Sequence, residues 1–203
     1  MVGRTLGPAF ARLGHDVVVG TRSPEATRAR GGWEVHLPLA AYGDVAEGAD
    51  LVVNATSGVV SLDALGAVGE EQLAGKVLLD VANPLDFSGG FPPTLSVKDT
   101  DSLAEQLQRA FPRARVVKSL NPVNCAVMVD PQRVGDGNTT MFVAGDDADA
   151  RALVMGLLGE LGWRDLVEFP DLSYARGMEM WLPMWVRLLG HLGTTDFNLK
   201  IVR

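Results

Sequence analysis

The chain has 203 residues, of which 47% are hydrophobic and 21% charged, and its formal net charge is −7. That length fits one domain with a small extension, and the acidic balance argues against nucleic acid and anionic membrane surfaces as partners. The single cysteine, Cys125, excludes an internal disulfide and predicts a reducing, cytoplasmic location.

Short apolar runs alternate with helical patterns along the chain. In chain order, strands are expected at 16–20, 33–37, 50–55, 76–81, 114–120, 139–145 and 163–169. Helices are expected at 4–13, from Ser23-Pro24 onward, and at 40–49, 61–69, 101–111 and 147–162, with a long loop at 83–93. Apolar runs of this kind separated by helices predict buried parallel strands in an α/β fold.

The C-terminal part has a different pattern. Residues 172–192 form a long apolar helical run, and Pro183 predicts a kink in it because proline removes a backbone donor. Its most apolar stretch, 178–192, carries charged residues and is shorter than a membrane span of about 20 residues. We therefore expect a Rossmann-like domain over 1–170 and a helical extension over 171–203, with no membrane span.

The opening segment looks like the end of a dinucleotide-binding turn. In such units a strand leads into the pattern G-x-G-x-x-G, and the helix that follows holds the pyrophosphate at its N-terminus. Gly3 stands where the third glycine would be, directly before a helix. The expectation is thus that the chain as given lacks the first strand and the first two glycines of this turn.

The end of the following strand distinguishes NADP from NAD. An NAD-binding unit places Asp or Glu there, to bind the ribose 2′-hydroxyl. This chain has Thr21 and Arg22 instead, and a guanidinium can bind a 2′-phosphate with paired charged hydrogen bonds. The pattern favours NADP, and the alternative is that Arg22 is a solvated surface charge.

The sequence resembles the coenzyme F420-dependent NADP oxidoreductases and their dinucleotide-binding relatives. The shared pieces cover nearly the whole chain: "MVGRTL", "GHDVVVGTR", "DVANPLDFSGGFPPTL", "VVKSLNPVN", "GDDADAR" and the segment from Arg176 to Arg203. The resemblance implies a Rossmann-type, doubly wound and mostly parallel sheet. It also implies hydride transfer between NADPH and a deazaflavin, with NADP and coenzyme F420 as the cofactors.

The resemblance also implies roles for single residues. Cofactor-binding roles fall on Gly3, Thr21, Arg22, Arg28, Thr56, Ser57, Asn83 and Cys125, the last through its backbone. Acceptor-binding roles fall on Asn121 and Val123, although Asn121 is also interpreted as a turn residue before Pro122. No catalytic side chain or metal is expected, because the two cofactors do the chemistry and the protein positions them.

Two features keep alternatives open. The loop at 83–95 is either a lid over the second ligand or a connector. The helix with Met178, Met180, Trp181, Met184 and Trp185 belongs to the core or to a dimer interface, and it predicts a homodimer.

The acceptor is also open. It is coenzyme F420, an ordinary flavin, or a small carbonyl or imine substrate. The remaining hypothesis is a non-catalytic NADP-binding redox sensor or subunit.

Overall fold

A computed structural model describes residues 1–30 and 37–202 of the chain. The strand expected at 33–37 therefore lies almost wholly outside the described residues, and so does His36. The nine described strands are β1 (Val19–Thr21), β2 (Leu39–Ala41), β3 (Leu51–Asn54), β4 (Val77–Asp80), β5 (Leu85–Asp86), β6 (Thr94–Leu95), β7 (Arg115–Ser119), β8 (Thr140–Gly145) and β9 (Asp165–Phe169).

The described α-helices are α1 (Val2–Arg12), α2 (Pro24–Ala29), α3 (Ser61–Val68), α4 (Glu70–Leu73), α5 (Leu103–Ala110), α6 (Cys125–Val129), α7 (Ala148–Glu160), α8 (Ala175–Met180) and α9 (Leu182–Leu192). Of these, α1 precedes the first strand, α8 and α9 follow the last one, and the others lie between strands. Side-chain caps begin several of them: Ser23 accepts from the Ala26 amide at 3.2 Å, and Ser102 from the Glu105 amide at 3.1 Å.

The larger sheet has the order β3-β4-β7-β8-β9, and β1 pairs with β2 in a separate parallel ribbon. Within the larger sheet every pairing is parallel except that between β7 and β8. The α/β, Rossmann-type, mostly parallel fold class is thereby confirmed. Strand β8 runs antiparallel to β7, because the chain turns back after the short helix α6 instead of crossing the sheet on a long one.

Both faces of the larger sheet are buried. Val77 and Leu79 of β4 point into one apolar cluster with Leu6 and Phe10 of α1, while Leu78 between them joins a second cluster on the other face. This alternation is what a parallel sheet covered by helices on both sides requires. It places α1 on one face, with its N-terminus at the carboxyl ends of the strands.

Several boundaries differ from the sequence predictions. The prediction of a helix at 40–49 is wrong. The first residues of this segment belong to strand β2, and a series of turns with hydrogen bonds between residues i and i+3 follows. Strand β1 begins only at Val19, where its pairing with β2 starts. Strand β3 was expected to be buried, but Leu51–Val53 are half-buried and only Asn54 is fully buried.

The long loop after β4 and the C-terminal helical run each contain defined secondary structure. The long loop after β4 contains the short antiparallel pair β5–β6. The C-terminal run breaks at Trp181 into α8 and α9, with Pro183 in the first turn of α9, which confirms the expected kink. No helix among the described residues is long and apolar enough to span a membrane.

Candidate functional site

The helix α1 begins beside the segment that follows β3. The residue at its N-cap position, Met1, makes no side-chain cap, so the first amides of the helix lack a side-chain partner from that position. A methyl group placed on Gly3 would lie 3.8 Å from Cβ of Ala55. The positive end of the α1 dipole therefore lies against the loop that carries Thr56 and Ser57.

The end of β1 carries basic side chains. Thr21 Oγ1 lies 2.7 Å from Thr27 Oγ1, which ties β1 to the short helix α2. Arg22 and Arg28 are both exposed, and neither has an ion-pair partner among residues 1–30 and 37–202. Helix α1 also packs here, since a methyl group on Gly7 would lie 3.6 Å from Val19.

The loop after β3 is held by a buried asparagine that the sequence analysis did not single out. The Oδ1 atom of Asn54 accepts from the Thr56 amide at 3.3 Å and from its hydroxyl at 2.7 Å. The Nδ2 atom donates to Ser61 Oγ at 3.0 Å and to Asp80 Oδ1 at 2.8 Å. Asn54 thus fixes the Thr56-Ser57 loop to the start of α3 and to the end of β4.

The loops after β3 and β4 meet at Gly58. A Cβ atom at this position would lie 2.1 Å from the carbonyl oxygen of Asn83 and 2.9 Å from Cα of Pro84. Both neighbours are backbone, so they cannot move aside as a flexible side chain would. Only glycine fits, and Ser57 and Asn83 are held close together as a result.

Asn83 and Asn121 form a reciprocal pair across the ends of β4 and β7. Asn83 Nδ2 donates to the Asn121 carbonyl at 3.0 Å, and Asn121 Nδ2 donates to Asn83 Oδ1 at 2.9 Å. Asn121 Nδ2 also donates to the Met178 carbonyl of α8 at 2.9 Å. Asn121 is only 2% exposed, and its buried Oδ1 atom has no hydrogen-bond partner.

The next turn leads into α6. Val123 and Cys125 are both buried, and the Asn124 side chain caps the helix by accepting from the Ala126 amide at 3.0 Å. Leu120, directly after β7 where this turn begins, is fully buried. Its φ of 60° is a backbone conformation that costs energy for a branched side chain. This turn is therefore held in its shape by the surrounding core.

Three charged side chains lie buried beneath these loops, and the sequence analysis missed them. Lys118 Nζ lies 2.7 Å from Asp80 Oδ2 and 2.8 Å from Glu179 Oε1. Burial alone would lower the pKa of Lys118, but the two carboxylates outweigh burial and raise it. Burial raises the pKa of Glu179, and Lys118 opposes only part of that rise. In sequence, Lys118 stands inside an apolar strand, and that is the signal that could have revealed it.

Of the two histidines among the described residues, His15 lies between α1 and β1, and His191 is on α9. His15 Nε2 lies 2.7 Å from Glu160 Oε2 at the surface. Within the part of the chain that the structure describes, no three His, Cys, Asp or Glu side chains are grouped as metal ligands.

Val123 and Cys125 lie buried at the turn into α6, and the other predicted site residues fall into two groups. Contacts among the described residues join Gly3, Thr56, Ser57, Asn83 and Asn121 at the ends of β3, β4 and β7. Thr21, Arg22 and Arg28 lie on the separate β1–β2 ribbon and α2. Helix α1 packs against both parts.

Such an arrangement defines a Rossmann-type reductase fold, in which ligands bind beyond the carboxyl ends of the strands. Over its whole length the chain is 55% identical to a solved structure from Arthrobacter sp. FB24 that is named as a candidate F420-dependent NADP reductase. The match covers 95% of that chain with a TM-score of 0.97. The chain belongs to this family of F420-dependent NADP reductases.

More distant similarities agree in fold. Over 187 residues the chain is 28% identical to the metalloreductase STEAP3 of Rattus norvegicus; this region is 90% of the chain but only 35% of STEAP3. A reductive aminase from Aspergillus terreus, solved with NADPH and ethyl levulinate, is 20% identical with a TM-score of 0.64. That match covers 94% of this chain and 60% of the aminase. No protein-family model matches the sequence.

Proposed function

We propose that the protein is an oxidoreductase that transfers a hydride between NADPH and a deazaflavin, coenzyme F420. Membership of the family supports this proposal. The observation that carries it is the placement of Gly3, Thr56, Ser57, Asn83 and Asn121 at one edge of the sheet. The exposed arginines Arg22 and Arg28 stand at the end of β1, where NAD-specific units have an acid.

The phosphates of NADPH would be held from two sides. The amides at the start of α1, next to Gly3, would bind the pyrophosphate, with Thr56 and Ser57 along the same edge. Arg22, helped by Arg28 and the Thr21 hydroxyl, would bind the 2′-phosphate. The residues fit this group, because α1 has no side-chain cap and both guanidinium groups are exposed without a carboxylate partner among the described residues.

The nicotinamide and the acceptor would meet near the asparagine pair. Asn83 would lie at the nicotinamide ribose, the Cys125 backbone at the carboxamide, and Asn121 and Val123 at the deazaflavin. The free Oδ1 of Asn121 fits a ligand here, since a ring or amide N–H could donate to it. Bound NADPH would supply the hydride, and these residues would orient the two rings so that the reacting atoms come within about 3–3.5 Å.

We also propose a homodimer that forms through the C-terminal helices. Met178 is buried in the core, but Met180 on α8 and Met184 and Leu192 on α9 are exposed by 39%, 51% and 50%. Exposed apolar side chains of this kind are typical of interface cores. Light scattering should give twice the chain mass, and Met184→Glu should shift the protein toward the monomer.

The test of the proposed function is NADPH oxidation in the presence of different acceptors. We expect turnover with coenzyme F420 that saturates with acceptor concentration, and little or none with FMN, small ketones or imines. Faster turnover with an ordinary flavin, a carbonyl or an imine would contradict the F420 assignment while keeping the oxidoreductase. Saturable NADPH binding without turnover on any acceptor would instead support a redox sensor.

A further inference from the structure

The buried charges beneath the site are costly to keep. Lys118, Asp80 and Glu179 are at most 1% exposed, and removing charges from water costs several kcal/mol for each ion. Well-packed apolar residues often stabilise a core equally well in place of such a cluster. Stability alone therefore gives no reason for one cation and two carboxylates in this place.

The cluster is fully provided with hydrogen bonds. Glu179 accepts from the amides of Leu103 at 2.9 Å and Ala104 at 3.3 Å, at the positive N-terminal end of α5. Asp80 accepts from Asn54, the residue that holds the Thr56-Ser57 loop. The cluster thereby joins β4, β7, α5 and α8, and each carboxylate has donors besides Lys118.

Both backbone polar groups of Ala82 are bound to this cluster. The Lys118 ammonium donates to the Ala82 carbonyl, and the Ala82 amide donates to Asp80 Oδ1 at 3.2 Å. The next residue is Asn83, whose side chain pairs with Asn121. The turn after β4 is therefore fixed at Ala82 by the charges and at Asn83 by the asparagine pair.

Helix α8 is connected to the same turn by two routes. One runs from the Met178 carbonyl through Asn121 to Asn83, and the other runs from Glu179 through Lys118 to Ala82. Met178 and Glu179 are neighbours in sequence. A shift of α8 would thus be transmitted to the turn along both routes.

We propose that the Lys118–Asp80–Glu179 cluster is a positioning device that fixes the turn after β4 against α8 and so sets the nicotinamide end of the site. The inference rests on the proposed function. The three residues are positioning residues, because they contact the loops that would hold the ligands and not the ligands themselves. Asp80 also reaches the Thr56-Ser57 loop through Asn54, whereas Glu179 is bonded to Lys118 and to the α5 amides. A change at Glu179 should therefore affect the geometry of hydride transfer and not the phosphate end.

The test uses Glu179→Gln, which keeps the size of the side chain and an acceptor for the α5 amides but removes the charge facing Lys118. Without ligand, amide hydrogen exchange at 81–84 and 119–124 should rise about tenfold as these segments open locally. The affinity for 2′,5′-ADP, which has no nicotinamide, should stay within about twofold. The kcat for NADPH oxidation should fall about tenfold, as expected for misplaced rings.

Arg151→Gln is the matched control. Arg151 is 7% exposed and donates to Glu168 at 2.7 Å and to the Gly145 carbonyl at 2.7 Å, so it is also a buried ion-paired group. We expect it to lower stability without selective exchange at 81–84 or a loss of kcat. Glu179→Asp, which keeps the charge but shortens the side chain, should show an intermediate kcat and serves if the glutamine variant does not fold.

Three results would overturn the inference. An unchanged kcat in folded Glu179→Gln would show that the cluster has no positioning role. A merely structural role would follow if Glu179→Gln lost kcat, 2′,5′-ADP affinity and stability together, to the same extent as Arg151→Gln. A wild-type protein that binds no NADPH would contradict the proposed function and this inference with it, whereas the first two results leave the proposed function standing.

Discussion

At the end of β1, Arg22 and Arg28 extend into solvent, whereas at the ends of β4 and β7 Asn121 and Lys118 are almost completely buried. The second region is bonded to β3, β4, α5 and α8, while the first is held mainly by its ribbon partner and α2. The difference is consistent with the two roles proposed for these regions, phosphate binding and ring positioning. Charge recognition of a phosphate tolerates a mobile side chain, but hydride transfer needs a fixed separation of two rings.

The largest effect should come from removing the buried cation. Lys118→Met leaves two buried carboxylates without their counter-charge, and we expect the free energy of unfolding in urea to fall by about 3–5 kcal/mol. Arg22→Met at the exposed end should change it by less than about 0.5 kcal/mol. Equal losses of unfolding free energy in Lys118→Met and Arg22→Met would contradict the proposed difference between a rigid buried region and a loosely held exposed one.

A smaller effect should come from the hairpin β5–β6, which the sequence left as either a lid or a connector. Phe87 and Phe91 are 59% and 70% exposed around its tip. If the hairpin is a lid, replacing both with Ala should raise the KM for coenzyme F420 by about five- to tenfold, from about 1 kcal/mol of lost apolar contact. The Kd for NADPH should not change. The control is Leu153→Ala, which removes an exposed apolar side chain on α7. An unchanged KM for coenzyme F420 in the variant that lacks both phenylalanines would identify the hairpin as a connector.

The smallest effect concerns acid stability where α5 meets α8. Arg176 donates to Glu105 at 2.9 Å, and this bond, aided by Ser102, holds the pKa of Glu105 below its usual 4.5. Since the folded state then binds the proton less readily, the stabilisation is present above pH 4.5 and is lost as the pH falls further.

Glu105→Gln should accordingly flatten the decline of unfolding free energy below pH 4.5, by less than about 1 kcal/mol. Urea unfolding at several pH values measures this. The pKa of neighbouring Asp101 is also lowered, mainly by Arg109, so the Gln variant should keep part of the slope. A slope identical to that of the wild type would show that the Glu105–Arg176 pair contributes nothing.

The sequence predicted the fold well where apolar periodicity was strong. The strands β4, β7, β8 and β9 and the helices α5 and α7 lie within the predicted segments. The helix expected at 40–49 failed because its first residues pair with β1, and such tertiary pairing overrides local propensity. The direction of β8 was not readable, because an apolar run looks the same in either orientation.

The site was predictable only in part. A strand end pointed to Thr21 and Arg22, the family resemblance pointed to Thr56, Ser57, Asn83 and Asn121, and the roles of all six stay predictions. The support beneath them was largely hidden, because Asn54, Asp80, Lys118 and Glu179 are far apart in sequence and only Lys118, inside an apolar strand, stands out from its neighbours. Only the paired distances in the folded chain show that these residues form one connected network.

The central proposal is that the protein binds NADPH with Arg22 at the 2′-phosphate. Calorimetric titration of NADPH and NADH into the wild type, Arg22→Ala and Arg12→Ala tests this directly, since Arg12 is an exposed arginine at the opposite end of α1. We expect Arg22→Ala to weaken NADPH binding about 30-fold, from about 2 kcal/mol of charged hydrogen bonds. NADH binding by Arg22→Ala, and both affinities of Arg12→Ala, should be nearly unchanged. Equal losses of NADPH and NADH binding in Arg22→Ala, or no NADPH binding by the wild type, would contradict the account.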